Sequence, residues 1–384
     1  MATHRAALVA VGFGALLAAC GAAAPSTTAT PSATASAIPT PSPSRSPAPP
    51  LLLTFRDTGP QETPWTAVQL TLVGEDGRVA ASINDPGGVD GDAYTVGTDH
   101  VYFIDGTTVK AMGRDGTITD AGQVPQVSTT ATADDESSNI AFAVSPDEST
   151  LVFGIPRAIA GDNGATTDDS QLWTEPVGGT AASATMVYDN RQPDGVLLPF
   201  AWSNTSVWVS DMPTSGLGGA GPFLDYFGLN PAKFDPTSHV LTPIQSDCTL
   251  SDARTIDNSS PNYVCRAATL PVLKIVLPSG TQTVTMQTAN ATGFGSVMLS
   301  DDGRYLAYGA YIGDFGSGHY VSTIIDLRSG ATAATVQGYT PKDWLSDDRL
   351  IVSPEYFGAA SYLLSAAFAD PVKIAPDQAA GRLP

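Results

Sequence analysis

The chain is poor in the residues that most catalytic and metal sites use. Among 384 residues it has 3 cysteines and 4 histidines. It contains no phosphate-binding loop, no His-Glu-x-x-His zinc motif and no Gly-x-Ser-x-Gly nucleophile turn. A Gly-x-Gly-x-x-Gly pattern at residues 216–221 runs into Pro222, so it lacks the strand-to-helix setting of a dinucleotide site. We therefore assign no catalytic residue and no metal ligand, and we favour a non-enzymatic role while leaving catalysis open.

Positive charge is also scarce. All 38 acidic residues lie after residue 50, together with 16 of the 18 basic residues, so this part carries a formal net charge of −22. A chain this acidic repels phosphate groups, which argues against nucleic acid or an anionic lipid surface as its partner. The same charge also keeps many secreted proteins soluble, and we interpret it mainly in that way.

The one long apolar run, Ala6–Ala19, is shorter than the roughly 20 residues that a membrane-spanning helix needs. It follows a short head that contains Arg5, an arrangement typical of a signal peptide over residues 1–19. The run ends in Leu17-Ala18-Ala19-Cys20, which resembles the lipobox of bacterial lipoproteins. This resemblance implies that Cys20 carries a diacylglyceryl group, with fatty acids such as palmitate, and holds the protein outside the cytoplasm on the bacterial cell membrane. The alternative is a plain secretory signal in which Cys20 is incidental.

Residues 20–50 are almost wholly Ala, Ser, Thr and Pro after the cysteine and its glycine, with Arg45 as the only charge. A segment of this composition has no apolar face to bury and is expected to be a disordered linker. Fully extended, it would span on the order of 90 Å at about 3.1 Å per residue. It is either a stalk, with O-glycosylation left open, or a featureless spacer.

The cysteine count fits an oxidising compartment. If Cys20 takes lipid, Cys248 and Cys265 remain, and we expect them to form a disulfide. The alternative is two buried free thiols.

The region from Leu51 to residue 384 is predicted to be all-β and to form a single domain. Short runs with alternating polarity recur, such as Val101–Ile104 and Leu350–Ser353, and turn dipeptides such as Asp115-Gly116 separate them. Asp-Gly favours tight hairpins because it tolerates positive φ at both central positions. No stretch keeps a capped helical period for more than about three turns.

A longer repeat overlies this pattern. Residues 143–153 (AVSPDESTLVF) and 298–308 (MLSDDGRYLAY) are two copies of one phrase, with looser copies at 201–209 and 344–352. The phrase resembles the inner hairpin of blades in WD-repeat-like and Tol-type β-propellers, and Asp326–Gly330 matches the turn that often follows the third strand there. The resemblance implies a β-propeller.

Seven blades can be placed, starting near residues 51, 91, 138, 195, 247, 292 and 341. The first and fifth match poorly, so six or eight blades remain alternatives. Because the first blade is incomplete, we expect a strand near Leu51–Phe55 to close the ring against the last blade.

The candidate ligand site consists of Tyr311, Asp314 and His319, since a histidine near a carboxylate and a tyrosine can act as a ligand or base. The alternative is a solvated loop without a function. No cofactor is assigned, although acidic turns at residues 85–92 and 162–169 offer oxygen ligands for Ca²⁺ without matching an EF-hand. Most of the five tryptophans are interpreted as core residues, notably Trp202 and Trp208 in strand positions.

The leading hypothesis is a tethered propeller that binds or scaffolds another exported protein or a cell-wall component. The rivals are an extracellular hydrolase or lyase acting on glycan or peptide from the propeller channel, and a sensor or assembly subunit of an envelope complex. Convergence in the channel of three or more of five residues would favour the enzyme: His319, Asp314, Asp225, Arg254 and Arg304.

Overall fold

Short β-strands follow one another along the chain from Leu51 to Leu383. The computed structural model describes residues 48–58, 68–85, 94–125, 140–160, 166–191, 195–203, 205–212, 231–244, 249–254, 262–266, 271–286, 291–314, 317–346, 348–354 and 360–384. The predicted leader, the lipidation site Cys20, most of the linker and Cys248 lie outside these ranges, so the structure does not test those predictions. In the described ranges no helix is long and apolar enough to cross a membrane.

The strands are named β1 to β28 in chain order. They are Leu51–Asp57, Val68–Val73, Val79–Asp85, Tyr94–Val96, His100–Asp105, Thr108–Gly113, Ile118–Gln123, Ala141–Val144, Thr150–Ala160, Thr166–Pro176, Thr185–Asn190, Val196–Trp202, Val207–Met212, Pro231–Asp235, Val240–Pro243, Thr249–Arg254, Asn262–Arg266, Val272–Leu277, Gly280–Thr285, Ala291–Leu299, Tyr305–Ile312, His319–Asp326, Ala331–Gln337, Thr340–Ser346, Arg349–Ser353, Ser361–Leu363, Val372–Ala375 and Gln378–Leu383. One short 3-10 turn, Ala181–Ser183, stands between β10 and β11.

The strands form seven four-stranded antiparallel sheets, which are the seven blades of a β-propeller. Blades 2 to 7 each take four consecutive strands, from β4–β7 through to β24–β27. Their first strands begin at residues 94, 141, 196, 249, 291 and 340, within three residues of the starts predicted from the repeat. The predictions of an all-β fold and of seven blades are therefore confirmed.

Blade 1 joins the two ends of the domain. The C-terminal strand β28 is its first strand, and β1, β2 and β3 supply the other three. In the antiparallel pair of β1 and β28, Leu51 lies opposite Leu383 and Leu53 opposite Gly381, with one irregularity after Leu53. The expected closure by an N-terminal strand is present, and its hydrogen bonds to the C-terminal strand join the two ends of the domain in one blade.

The antiparallel order gives the propeller two distinct ends. Strands 1 and 2 of blades 2 to 7, and strands 3 and 4 of every blade, connect at the same end, which we call the turn face. Strands 2 and 3, and strand 4 with the next blade, connect at the opposite end, which we call the loop face. The two longest connections, 124–140 and 213–230, both join strands at the loop face.

Neighbouring blades pack face to face through apolar side chains. In β5, Val101 and Phe103 belong to the cluster shared with blade 1, whereas Tyr102 and Ile104 belong to the cluster shared with blade 3. All four are buried. Because both sides of the middle strands are covered, these strands carry continuous apolar runs rather than a strict polar alternation. Trp208 is likewise fully buried, as predicted for a residue that fills space between blades.

The repeated phrase forms the same turn in both of its full copies. In blade 3 the Ser145 hydroxyl donates to Asp147 at 2.6 Å and accepts from the Thr150 backbone N–H at 3.0 Å. In blade 6 the Ser300 hydroxyl donates to Asp302 at 2.8 Å and accepts from the backbone N–H of residue 305 at 2.8 Å. The serine and the aspartate therefore repeat because together they satisfy the backbone of the turn.

A glycine recurs four residues into the second strand of these two blades. A Cβ at Gly154 would stand 2.5 Å from Pro199 Cδ and closer still to the Leu197 carbonyl oxygen, both on the first strand of blade 4. A Cβ at Gly309 would stand 2.6 Å from the Thr340 hydroxyl on the first strand of blade 7. The glycines let the next blade approach the backbone directly.

Candidate functional site

The three residues predicted as a ligand site lie on one hairpin at the loop face of blade 6. Tyr311 is near the end of β21, Asp314 is in the turn, and His319 begins β22. The Tyr311 hydroxyl donates to the Asp314 backbone carbonyl at 3.2 Å and accepts from the Gly318 backbone N–H at 2.9 Å. A side chain at Gly318 would meet the Tyr311 ring at 2.8 Å, so the glycine makes room for this arrangement.

The hairpin brings Tyr311 and Asp314 together but turns His319 away. Tyr311 lies opposite Tyr320 and Ile312 opposite His319 in the register of β21 and β22. Successive side chains on a strand point to opposite faces of the sheet, so Tyr311 and His319 lie on different sides of the blade. Tyr311 contacts Asp314 through the main chain, whose carbonyl accepts its hydroxyl, and the exposed Asp314 side chain stays at the turn.

The described members of the proposed channel set do not converge. Arg304 follows the β20–β21 turn on the turn face, where it lies 3.4 Å from Asp326, whereas Asp314 and His319 are at the loop face. Asp225 and the side chain of Arg254 lie outside the described residues. The three that can be located therefore form no common site.

The side of blade 6 that carries Tyr311 faces blade 7, and tyrosines gather at the loop-face end of this seam. The Tyr311 and Tyr320 rings meet edge to face with centroids 5.0 Å apart. Tyr339, in the connection between β23 and β24, meets Tyr362 of β26 in the same way at 5.4 Å. We call these four residues the tyrosine cleft; all four are half-buried.

Backbone hydrogen bonds link the two tyrosine pairs. The Gly338 backbone N–H donates to the Tyr320 carbonyl at 2.7 Å, and the Ser322 hydroxyl donates to the Tyr339 carbonyl at 2.8 Å. Below them, Tyr339 and Tyr362 pack on the apolar cluster that contains Ile324 and Trp344. The cleft therefore rests on the rigid core of the seam rather than on a separate loop.

A second polar cluster crosses the seam between blades 2 and 3 on the turn face. The Glu148 carboxylate accepts four hydrogen bonds: from the Asp99 N–H at 2.6 Å, the His100 N–H at 3.1 Å, His100 Nδ1 at 2.6 Å and the Tyr102 hydroxyl at 3.0 Å. Burial opposes ionisation of Glu148, but these bonds outweigh it and hold its pKa below the ordinary value. Burial, followed by the charge of Glu148, raises the pKa of Tyr102.

Glu148 occupies a position that the repeat gives to glycine. Its φ is 53°, and the corresponding Gly303 of blade 6 has φ 65°. A non-glycine residue in this region costs roughly 1–2 kcal/mol, which the four hydrogen bonds offset. Sequence reasoning did not single out Glu148; the available signal was a glutamate standing where the other full copy of the phrase has glycine.

Glu175 is a fully buried acid in the same seam. Among the described residues, its carboxylate accepts hydrogen bonds from the Gln123 backbone N–H alone, at 3.3 and 3.4 Å. Burial raises its pKa above the usual range, and this single donor offsets the effect only in part. The two glutamates of the seam therefore respond to pH in opposite directions.

The remaining candidates give no assembled site in the described part of the chain. No group of three or more His, Cys, Asp or Glu side chains there is arranged to hold a metal ion. The side chains of the two acidic turns proposed for Ca²⁺ lie outside it. Cys265 is buried and lies opposite Leu250, two residues after Cys248. The Cys248–Cys265 disulfide stays a prediction.

No protein-family model matches the sequence, and no curated protein matches it. Among solved structures, the fold is similar to an oligogalacturonate lyase in complex with manganese, at 11% identity over 84% of this chain and 96% of that one, with a TM-score of 0.46. TolB from Acinetobacter baumannii is similar at 10% identity over 86% and 81% of the two chains, with a TM-score of 0.38. The β-propeller domain of Myceliophteria thermophila Cps50 is similar at 11% identity over 73% and 84%, with a TM-score of 0.40. The likeness concerns the fold alone: this chain carries a seven-bladed β-propeller, with Tol-type and WD-repeat propellers among the structures similar to it.

Proposed function

We propose that this protein is a membrane-anchored extracytoplasmic lipoprotein whose propeller binds or scaffolds another component of the cell envelope, and that the loop face is its binding surface. The observation that carries the proposal is the difference between the two faces. Binding residues concentrate on variable connections held by a rigid scaffold. Here the longest connections all join strands at one end.

The turn face is built for rigidity. None of its connections exceeds eight residues, and internal hydrogen bonds tie the Ser145 and Ser300 turns. Ion pairs also cross between blades there, including Arg349 with Glu75 at 3.2 Å and Arg382 with Asp301. Such a face holds the blades in place and leaves less freedom for recognition.

The two faces also differ in charge. Segments that join strands at the loop face contain thirteen acidic residues and one basic residue, Arg191. The acidic residues are Glu62, Asp90, Asp92, Asp134, Asp135, Glu136, Asp162, Asp194, Asp225, Asp247, Asp314, Glu355 and Asp377. Segments at the turn face contain twelve acidic and four basic residues. An acidic excess in these segments favours encounter with a partner of the opposite sign. Of the two acids that the structure describes, Asp314 is exposed, whereas Asp377 is buried and paired with Arg56.

The described part of the chain enters the propeller at the turn face. Residues 48–50 lead into β1 at the turn face, and Arg114 Nη1 donates to the Pro49 carbonyl there at 2.8 Å.

Site-specific photo-cross-linking on intact cells tests the proposal. A photoreactive amino acid would replace an exposed residue at the loop face, Asp314 or Gln337, or at the turn face, Val240 or Ser329. We expect a discrete cross-linked species from the loop-face positions and none from the turn-face positions. Equal products from both faces, or no product from either together with turnover of a glycan or peptide library, would refute it.

The anchor needs its own experiment. Cys20→Ala should move the protein out of the membrane fraction or leave its leader uncleaved, as seen by fractionation and intact mass. A Cys20→Ala protein that is processed and retained like the wild type would show that Cys20 is not the anchor.

A further inference from the structure

We propose that the tyrosine cleft receives lysine or arginine side chains from a protein partner, which bind against the aromatic rings. The inference rests on the proposed function and names the chemistry of the partner. Three properties of the cleft carry it: the exposed ring surface, the rigidity of its support and the sign of the surrounding charge.

The four tyrosines of the cleft are only partly buried. Its tyrosines come from β21, β22, the β23–β24 connection and β26, and each remains half-buried rather than packed away. By contrast, Trp344 and Tyr308 in the cores beside blade 6 are 0–1% exposed. Within each pair the rings meet edge to face, and each of the four residues keeps part of its surface exposed to solvent.

The rings are held in place before any ligand arrives. The Tyr311 ring is fixed by two hydrogen bonds of its hydroxyl, and the backbone of Tyr339 is held by the bond from Ser322 to its carbonyl. Tyrosine has few rotatable bonds, and these side chains are already restricted by strands and by the core. Binding therefore loses little conformational entropy, which is the usual cost of an adaptable surface.

Charge decides which ligand fits. The face of an aromatic ring attracts a cation, and arginine in particular both stacks on rings and pairs with carboxylates. Asp314 stands exposed on the same hairpin, and the sequence after residue 50 carries a formal net charge of −22. An anionic ligand would be repelled, and a neutral glycan would use the rings but gain nothing from the charge. A basic protein segment would use both the aromatic rings and the negative charge.

Binding of model peptides to the full-length mature protein in detergent tests this. The probes are a labelled nine-residue oligoarginine, an oligoglutamate of equal length and a neutral chitin oligosaccharide, measured by fluorescence anisotropy or calorimetry at low and high salt. We expect the oligoarginine alone to bind, and more weakly at high salt. Tyr362→Leu or Tyr339→Leu should weaken it by about three- to thirtyfold, the range of a cation–π contact, while Tyr362→Phe should bind normally.

The hairpin supplies matched controls. His319→Ala changes an exposed residue on the opposite side of the same blade and should leave binding unchanged, whereas Asp314→Asn should weaken it and reduce its salt dependence. Tyr305→Leu alters a tyrosine at the turn-face end of the same seam, where it stacks on Trp344 at 6.0 Å, and controls for loss of stability. Unfolding midpoints confirm that each variant is folded.

Several results would overturn the inference. It would be wrong if oligoglutamate bound as tightly as oligoarginine, or if both leucine variants bound oligoarginine normally. It would also be wrong if the oligosaccharide alone bound, in which case the ligand would be a glycan and not a basic protein segment. The photo-cross-linking above separates the two proposals. If the loop-face product still forms in Tyr362→Leu cells, the proposed function stands and the cationic cleft does not.

Discussion

Replacing Gly154 by alanine tests the packing between blades directly. The new Cβ would lie 2.5 Å from Pro199 Cδ and closer to the Leu197 carbonyl oxygen, although ordinary contacts begin near 3.4 Å. Both atoms belong to the backbone or ring of β12, so no side-chain rotation relieves the clash. The first strand of blade 4 must recede by roughly 1 Å, and overpacking of this kind costs about 1–3 kcal/mol.

The unfolded chain offsets part of this cost. Alanine has less backbone freedom than glycine, which favours folding by about 0.4–1 kcal/mol. The net expectation for Gly154→Ala is a destabilisation of about 1–2 kcal/mol, seen as a lower urea midpoint in equilibrium unfolding monitored by tryptophan fluorescence.

Gly309→Ala is the informative comparison because the obstacle there is softer. Its nearest neighbour is the Thr340 hydroxyl at 2.6 Å, followed by Pro341 Cδ at 3.1 Å. We expect a smaller loss than at Gly154, with partial recovery in the double variant Gly309→Ala/Thr340→Ala. Gly113→Ala serves as the control, since its nearest atom is the flexible Asp115 carboxylate at 3.2 Å, and should change stability by no more than about 0.5 kcal/mol. If Gly154→Ala unfolds at the same midpoint as Gly113→Ala, the close approach of the blades does not constrain the fold.

Three further predictions concern charge and covalent links. Burial raises the pKa of Glu175, so the stability gained from its protonated form is fully present below the unfolded pKa of about 4.5 and is lost as pH rises through the folded value. Glu175→Gln should therefore raise the melting temperature at pH 7 and lose this advantage near pH 4. Glu148 has a lowered pKa, so the stability it adds is present above the unfolded pKa of about 4.5 and is lost as pH falls through the folded value. Glu148→Gln should lower the free energy of unfolding by about 1–2 kcal/mol at pH 7. An unchanged free energy of unfolding would show that its four hydrogen bonds are not stabilising. Cys248→Ser should lower stability by about 3 kcal/mol if the bridge to Cys265 exists, and intact mass before and after reduction, which differs by two hydrogens for one disulfide, would expose its absence.

The repeat in the sequence was sufficient to locate the blades because it encodes the turn face. Ser145 and Ser300 recur for a local reason, namely the hydrogen bonds that each turn needs, and local reasons are visible in a single sequence. Even the weakly matching fifth blade falls at the predicted place, since the spacing of its neighbours leaves room for four strands.

The candidate site could be predicted only in part, since it depends on contacts between distant segments. Tyr311 and Asp314 were named because they are close in sequence, and they do share one hairpin. His319 was grouped with them for the same reason, but the two-residue period of a strand places it on the other side. Tyr362 was not foreseen, since it reaches the cleft from another blade and no local pattern marks it.

Departures from the repeat are where this propeller differs from a uniform ring of blades. Glu148 stands where Gly303 stands in the other copy, and the strained backbone is retained because the carboxylate joins two blades. The phrase has no counterpart at the loop face, where connection lengths vary from residues 106–107 to residues 213–230. A closed ring needs every blade to keep its turns, but it places no such demand on the opposite end. The loop face is therefore the part of the molecule on which selection for a partner can act without opening the ring.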